Sequence, residues 1–109
     1  MNESAILQRV RLAASKLGYR LSRNNSGCFE DKTGRWVRFG CFAPGGADLI
    51  GYKTIRITEE HLGMAVAQFV AIEVKTPTGK LKPEQAQFLK AVRESGGIAI
   101  VARSADDLS

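Results

Sequence analysis

Cysteine is scarce: Cys28 and Cys41 are the only two in 109 residues. Neither lies in a CxxC spacing or has a histidine nearby, which speaks against zinc. The chain reads as intracellular, where a disulfide is not expected, and both cysteines read as reduced packing residues. Histidine is scarcer still. His61 is the only one, and a loop or cap role is expected for it over a ligand or base role. No apolar run approaches the roughly 20 residues that span a bilayer, so no membrane partner is expected. Met1-Asn2-Glu3-Ser4 lacks the basic and apolar stretches of a signal peptide, and a cytoplasmic location is expected. Gly45-Gly46 is followed by no Lys-Ser or Lys-Thr in P-loop register, which disfavours a nucleotide cofactor.

What is present suits one folded domain over residues 1–109. Hydrophobic residues make up 44% of the chain, enough for a layered core that removes roughly two thirds of the unfolded surface from water. Sixteen Lys and Arg against eleven Asp and Glu leave a formal charge of +5. The excess is concentrated between Lys16 and Arg38, where Arg20, Arg23, Lys32 and Arg35 also fall, opposed only by Glu30 and Asp31. A polyanion is the simplest partner for such a stretch, and an inert basic surface is the alternative.

The pattern along the chain alternates helices and strands. Ile6, Leu7, Val10, Ala14 and Leu17 form one stripe of a helix from about Asn2 to Leu17, with Asn2 as cap and Gly18 as stop. Glu3 falls on that stripe. Tyr19 to Asn24 reads as extended, and Asn24-Asn25-Ser26-Gly27 reads as a turn. Cys28 to Glu30 and Arg35 to Phe39 read as a hairpin around Asp31-Lys32-Thr33-Gly34. Trp36 and Phe39 suit strand packing better than base stacking. A loop, Ala43 to Ala47, leads to a strand from Asp48 to Tyr52 that is open to extension through Ile57. Thr58 to Leu62 suits a single capped turn. Gln68 to Lys75 is the clearest strand, and Pro83 starts a helix that runs to about Ser95 before Gly96-Gly97. Ile98 to Ala102 is a last buried strand, and Ser104 suits the cap of a short final helix. This order predicts an α/β fold in which helices cover the sheet.

Strand side chains repeat every two residues, so Glu73 and Lys75 share one face while Val70, Ile72 and Val74 take the other. Unlike charges on so apolar a strand require an explanation, because burying charge is costly. One explanation is a salt bridge at a sheet end. The other is a site. Asp48, at the mouth of a glycine loop, supplies a second carboxylate if the two strands are neighbours. With the Val74 carbonyl, the set offers hard oxygens suited to Mg²⁺, which keeps several waters. Lys75 would then act on the attacking water or on the phosphorus centre. Gln85 lies within the apolar stripe of Phe88, Leu89 and Val92, pointing toward the sheet. It suits either an amide at the site or a helix-start glutamine satisfied by loop backbone. Glu84 and Lys90 lie elsewhere, on the surface.

Gly45-Gly46-Ala47-Asp48 followed by Ile72-Glu73-Val74-Lys75 resembles the PD-(D/E)XK nuclease superfamily. More narrowly, nearly the whole chain is similar to a stand-alone VRR-NUC domain of the phage and bacterial kind. Arg23 to Gly27, Val37 to Gly40, Asp48 to Gly51, Gly79-Lys80-Leu81 with Pro83-Glu84-Gln85, and Gly96-Gly97 before Ile98 to Val101 carry that likeness. Ala47 stands where the superfamily motif has Pro, a position VRR-NUC domains often vary, and the segment from Lys53 to Gln68 is longer than a minimal hairpin. The resemblance implies a restriction-endonuclease-like core with a mixed central sheet flanked by helices. It implies Asp48 and Glu73 as metal ligands, Lys75 as the catalytic lysine, Gln85 as an accessory residue and Glu3 as a carboxylate from the first helix. Mg²⁺ or Mn²⁺, and a homodimer selective for Holliday-junction or branched DNA, follow from the same likeness. The cytoplasm would be that of a bacterium, or of the host of a phage.

The expected function is therefore metal-dependent endonucleolytic hydrolysis of DNA, with Arg20, Arg23, Arg35 and Arg38 gripping backbone phosphates. The alternative is a non-catalytic DNA-binding module on the same fold. A small-molecule enzyme lacks any cofactor motif. In the dimer, Ile55, Ile57, Leu62, Met64 and Val66 are expected at the contact, or else as an extension of a monomer's sheet.

Overall fold

Asn2 caps the first helix as its residue type predicts: the side-chain oxygen accepts the Ala5 N–H at 2.9 Å. The computed structural model describes residues 2–108 as two compact units, one up to Lys53 and one from Thr54.

In the first unit, α1 (Glu3–Lys16) is followed by β1 (Tyr19–Arg23), β2 (Gly27–Glu30), β3 (Trp36–Phe39) and β4 (Leu49–Lys53). Gly18, at φ +90°, provides the left-handed turn that ends α1 and starts β1. β1 pairs antiparallel with β4, from Tyr19↔Lys53 to Arg23↔Leu49. The stripe on α1 is less covered than its periodicity predicts. No residue of α1 is buried, and only Leu7 and Ala14 are half-buried. β4 stops at Lys53, short of the extension to Ile57.

β2 and β3 form the expected hairpin, from Gly27↔Phe39 to Glu30↔Trp36. Asp31 holds its turn. Its Oδ1 accepts from Thr33 N at 2.8 Å, Thr33 Oγ1 at 2.6 Å and Arg35 N at 3.0 Å. The Thr33 hydroxyl, then the Arg35 N–H, hold this carboxyl below its ordinary value of 3.8. Alternation puts Phe29 and Phe39 on one face, with ring centroids 6.1 Å apart. Trp36 and Arg38 lie on the other. Phe39 packs as predicted, but Trp36 is 72% exposed and does not. Cys28 and Cys41 are free, as predicted, but exposed where packing was expected.

In the second unit, β5 (Val70–Val74) and β6 (Ile98–Ala102) pair in parallel, from Val70↔Ile98 to Val74↔Ala102. A parallel pair needs a crossover, and α2 (Pro83–Glu94) supplies it. The buried apolar side chains of the described residues are Leu89, Val92 and Ala102. Burying the Val92 side chain contributes about 1.5–3 kcal/mol. Gly97 is where α2 meets β5: an added Cβ would come within 2.7 Å of Val92 Cγ1 and 2.9 Å of the Phe69 carbonyl. Thr58 opens a 3-10 turn at Glu59–His61, and the His61 ring is its cap, with Nδ1 accepting the Thr58 N–H at 3.0 Å. A second 3-10 turn spans Ala105–Leu108.

The described residues thus form an α/β structure with two helices and three two-stranded sheets, β1-β4, β2-β3 and β5-β6. The resemblance implied a mixed central sheet. Parallel and antiparallel pairings both occur, but as separate short sheets. Within the first unit the reason is local: the β1–β4 ladder ends at Arg23, and the chain turns through Asn24-Asn25-Ser26 before β2 begins.

Candidate active site

β5 turns Ala71 and Glu73 toward α2, and Lys75 follows directly after the strand, its N–H donating to the Ala102 carbonyl at 3.0 Å. Gln85 sits in the first turn of α2, one residue pair beyond Pro83. Its amide is used at both ends. Oε1 accepts the Lys82 N–H at 2.9 Å, and Nε2 donates to Glu73 Oε1 at 2.9 Å. Because a backbone N–H claims the oxygen, the nitrogen is the end that must face the carboxylate. Both roles weighed for this glutamine, loop backbone partner and site amide, are filled by one side chain.

Lys75 Nζ stands 3.6 Å from the same Glu73 Oε1, with side-chain exposures of 18% for Lys75 and 33% for Glu73. At that distance the contact is an ion pair, not a hydrogen bond. Both contacts fall on Oε1, so Oε2 takes part in neither. The lysine is the more buried partner, although a lysine stem ordinarily carries its ammonium out to solvent. A cleft of about 440 Å³ opens beside this cluster, lined among others by Phe69, Ala71, Glu73, Glu84, Gln85 and Phe88. Glu84, on the surface of α2 as its spacing suggested, lines this cleft. Arg103 closes the loop after Lys75: its Nη1 donates to the carbonyls of Thr76 and Gly79, each at 2.6 Å.

The second unit thus brings together Glu73, Lys75 and Gln85, with Val74 between the first two in sequence. Asp48 and Glu3 belong to the first unit. Asp48 is exposed at the bend before β4, and Glu3 is exposed in the first turn of α1. Of the four arginines, Arg20 lies in β1 and Arg38 in β3, both exposed. Arg23 Nε donates to Asn25 Oδ1 at 3.2 Å. Arg35 is engaged in the hairpin through its backbone, its carbonyl accepting the Asp31 N–H at 2.8 Å.

Among the described residues no three His, Cys, Asp or Glu side chains cluster as a metal cage. The donors that are present are carboxylate and carbonyl oxygens. That chemistry fits a hard, partly hydrated ion held by one or two carboxylates, and not a thiolate or imidazole metal.

Asn24 is the polar residue that sequence reasoning left in a turn. It is 8% exposed and the only buried polar residue among those described. Its position beside Asn25-Ser26-Gly27 signals a turn and nothing more, because its partners are 17 and 23 residues away.

The family model for the VRR-NUC domain matches residues 2–106. The chain belongs to the VRR-NUC family and is a nuclease-type domain, for which DNA is the substrate class. No curated protein and no solved structure gives a significant match.

Proposed function

We propose that the chain is a divalent-metal-dependent endonuclease that hydrolyses DNA phosphodiester bonds, with Asp48, Glu73 and Lys75 as its working residues. The observation that carries this reading is the convergence of Gln85 Nε2 and Lys75 Nζ on one oxygen of Glu73, at 2.9 and 3.6 Å. The Gln85 oxygen is taken up by the Lys82 N–H at the start of α2, which leaves its nitrogen turned onto the carboxylate that Lys75 also faces. The match of one family model across both units supports reading the chain as a single nuclease domain, with the restriction-endonuclease-like core as its architecture.

Asp48, Glu73 and the Val74 carbonyl would hold Mg²⁺ or Mn²⁺. A bound ion of this kind polarises a phosphate and lowers the pKa of water. The protein's own residues do the rest. Gln85 fixes the rotamer of Glu73, so the carboxylate pays no reorganisation cost when substrate arrives. Lys75, half-buried and 3.6 Å from that carboxylate, stabilises charge that builds on the scissile phosphate. Glu3 is a further carboxylate of the site in this reading. Arg20, Arg23, Arg35 and Arg38 hold backbone phosphates. Arg20 lines a cleft of about 430 Å³ with Arg11, Ser15 and Tyr19, a shape and charge that suit a strand's phosphate.

Branched DNA, including four-way junctions, is the proposed substrate, and two copies cutting two strands is the simplest symmetric arrangement. Exposed apolar side chains support a contact in the segment from Lys53 to Gln68, Leu62 at 88% above all. Light scattering at micromolar protein gives the mass; a monomer that still cuts junctions symmetrically refutes the dimer.

The test of the function is a panel of duplex, flap, single-strand and four-way-junction DNA, with Mg²⁺ or Mn²⁺ and with EDTA. Metal-dependent internal cutting is the expected result. Tight binding without cutting under any metal would make the chain a non-catalytic DNA-binding module.

A further inference from the structure

The buried side chain of Asn24 has three polar contacts, and its main chain adds a fourth. Nδ2 donates to the Cys41 carbonyl at 3.0 Å and to the Ala47 carbonyl at 2.9 Å. Oδ1 accepts the Cys41 N–H at 2.8 Å. The Asn24 N–H donates to the Asp48 carbonyl at 2.8 Å. The Ala47 carbonyl belongs to the peptide plane before Asp48, and the Asp48 carbonyl belongs to the plane after it. One residue therefore anchors both planes that flank the Asp48 Cα. Two fixed planes fix φ and ψ, and with them the direction of the Cα–Cβ bond.

The surroundings are built for this contact. The β1–β4 ladder register ends at Arg23↔Leu49, and the Asn24 N–H bond to the Asp48 carbonyl is its next rung, so the plane before Asp48 is the one that the Asn24 side chain holds. Gly46 leaves the space. An added Cβ there would collide with the Cys41 carbonyl and come within 3.0 Å of Asn24 Nδ2. Only an asparagine suits the slot. Both amide hydrogens and the carbonyl are used, whereas aspartate offers acceptors alone and would set a charge against two carbonyls. A loop staple alone needs only the two Cys41 contacts. The side-chain contact to the Ala47 carbonyl, on the other side of Asp48 from the ladder's rung, is what a staple leaves unexplained.

We infer that Asn24 is the positioning residue for the Asp48 carboxylate. This inference rests on the proposed role of Asp48 as a metal ligand. Outer partners that orient a ligand typically carry about 10–100-fold of metal affinity.

The experiment compares the full chain with Asn24→Ala, Asn24→Asp and Asp48→Asn, using Mn²⁺ alone as probe. Calorimetry gives the affinity at a temperature where circular dichroism shows each variant folded. Both Asn24 variants are expected to bind Mn²⁺ at least about tenfold more weakly, with broadening of the Asp48 amide resonance lost, as in Asp48→Asn. Folded variants that match the unsubstituted protein within about twofold overturn the inference, because a structural staple lowers melting temperature without touching the affinity of the folded state. Two readouts hold without bound metal. In the unsubstituted protein the Cys41 amide should exchange among the slowest of the first unit; rapid exchange overturns the inference even where the variants do not fold. If the unsubstituted protein does not bind Mn²⁺, the proposed function falls by itself. The Asp48 backbone shifts of the metal-free variants then decide the geometry: movement supports the anchor, and no movement overturns it.

Discussion

Gln85→Leu keeps the bulk of the side chain and removes its two hydrogen bonds, to Glu73 at 2.9 Å and from Lys82 N–H at 2.9 Å. A hydrogen bond to a charged group contributes about 1.5–3 kcal/mol when well shielded. The Glu73 side chain is 33% exposed, so water replaces part of the loss and the lower end applies. The Lys82 N–H is exposed and contributes about 0.5 kcal/mol. The sum, about 2 kcal/mol, lowers the melting temperature by roughly 8–16 °C in a domain of this size. If the Glu73 contact is felt in the transition state, its share, about 1.5 kcal/mol, slows single-turnover cleavage about tenfold. Glu73→Gln and the double variant complete a cycle that isolates the pair, with an expected coupling of about 1.5 kcal/mol. A coupling below about 0.3 kcal/mol would refute the claim that the amide orients the carboxylate, since independent sites add within that range.

Three further outcomes are expected. Lys75→Ala should nearly abolish turnover at saturating DNA while leaving affinity for DNA largely intact, as an interaction made in the transition state requires; weak binding with normal turnover of bound DNA would make it only a phosphate grip. Asp31 has its carboxyl held below 3.8 in the folded chain, so it stabilises the β2–β3 hairpin fully above that pH and loses the contribution as pH falls through the lowered value. Melting curves from pH 6 down to about pH 2 should show a steeper acid loss for the unsubstituted chain than for Asp31→Ala; parallel curves would contradict this. Trp36, the only tryptophan, is exposed on the face that carries Arg38, so its fluorescence should be quenched by single-stranded DNA through base stacking and not by an unrelated polyanion such as heparin.

The elements were legible in the sequence because their signals are local. Asn2 caps α1, Asp31 to Gly34 turns the hairpin, and Pro83 and Gly96 bracket α2, each within a few residues of its partner. The pair Glu73 and Lys75 was legible for the same reason, since alternation alone puts them on one face. Gln85 was half legible: helical spacing aimed it at the sheet, but only the fold joins it to Glu73. What depends on distant contacts was not legible. Asn24 reads as a turn residue until Cys41, Ala47 and Asp48 are folded against it. The periodicity of α1 states which side is apolar and not how far it is covered. Alternation puts Trp36 and Phe39 on opposite faces of β3 but does not say which face finds a ring to pack on; Phe39 meets Phe29 and Trp36 stays exposed.

The central claim is that carboxylate oxygens of Asp48 and Glu73 support metal-dependent cutting. The most direct measurement is single-turnover cleavage of one labelled DNA junction across a Mn²⁺ titration, for the unsubstituted protein, Asp48→Asn and Glu73→Gln. Both variants keep shape and lose one charge. The account predicts cutting that requires Mn²⁺ in the unsubstituted protein and is lost in both variants while their folds survive. Cutting that persists in EDTA, or either variant cutting at the unsubstituted rate, would contradict it.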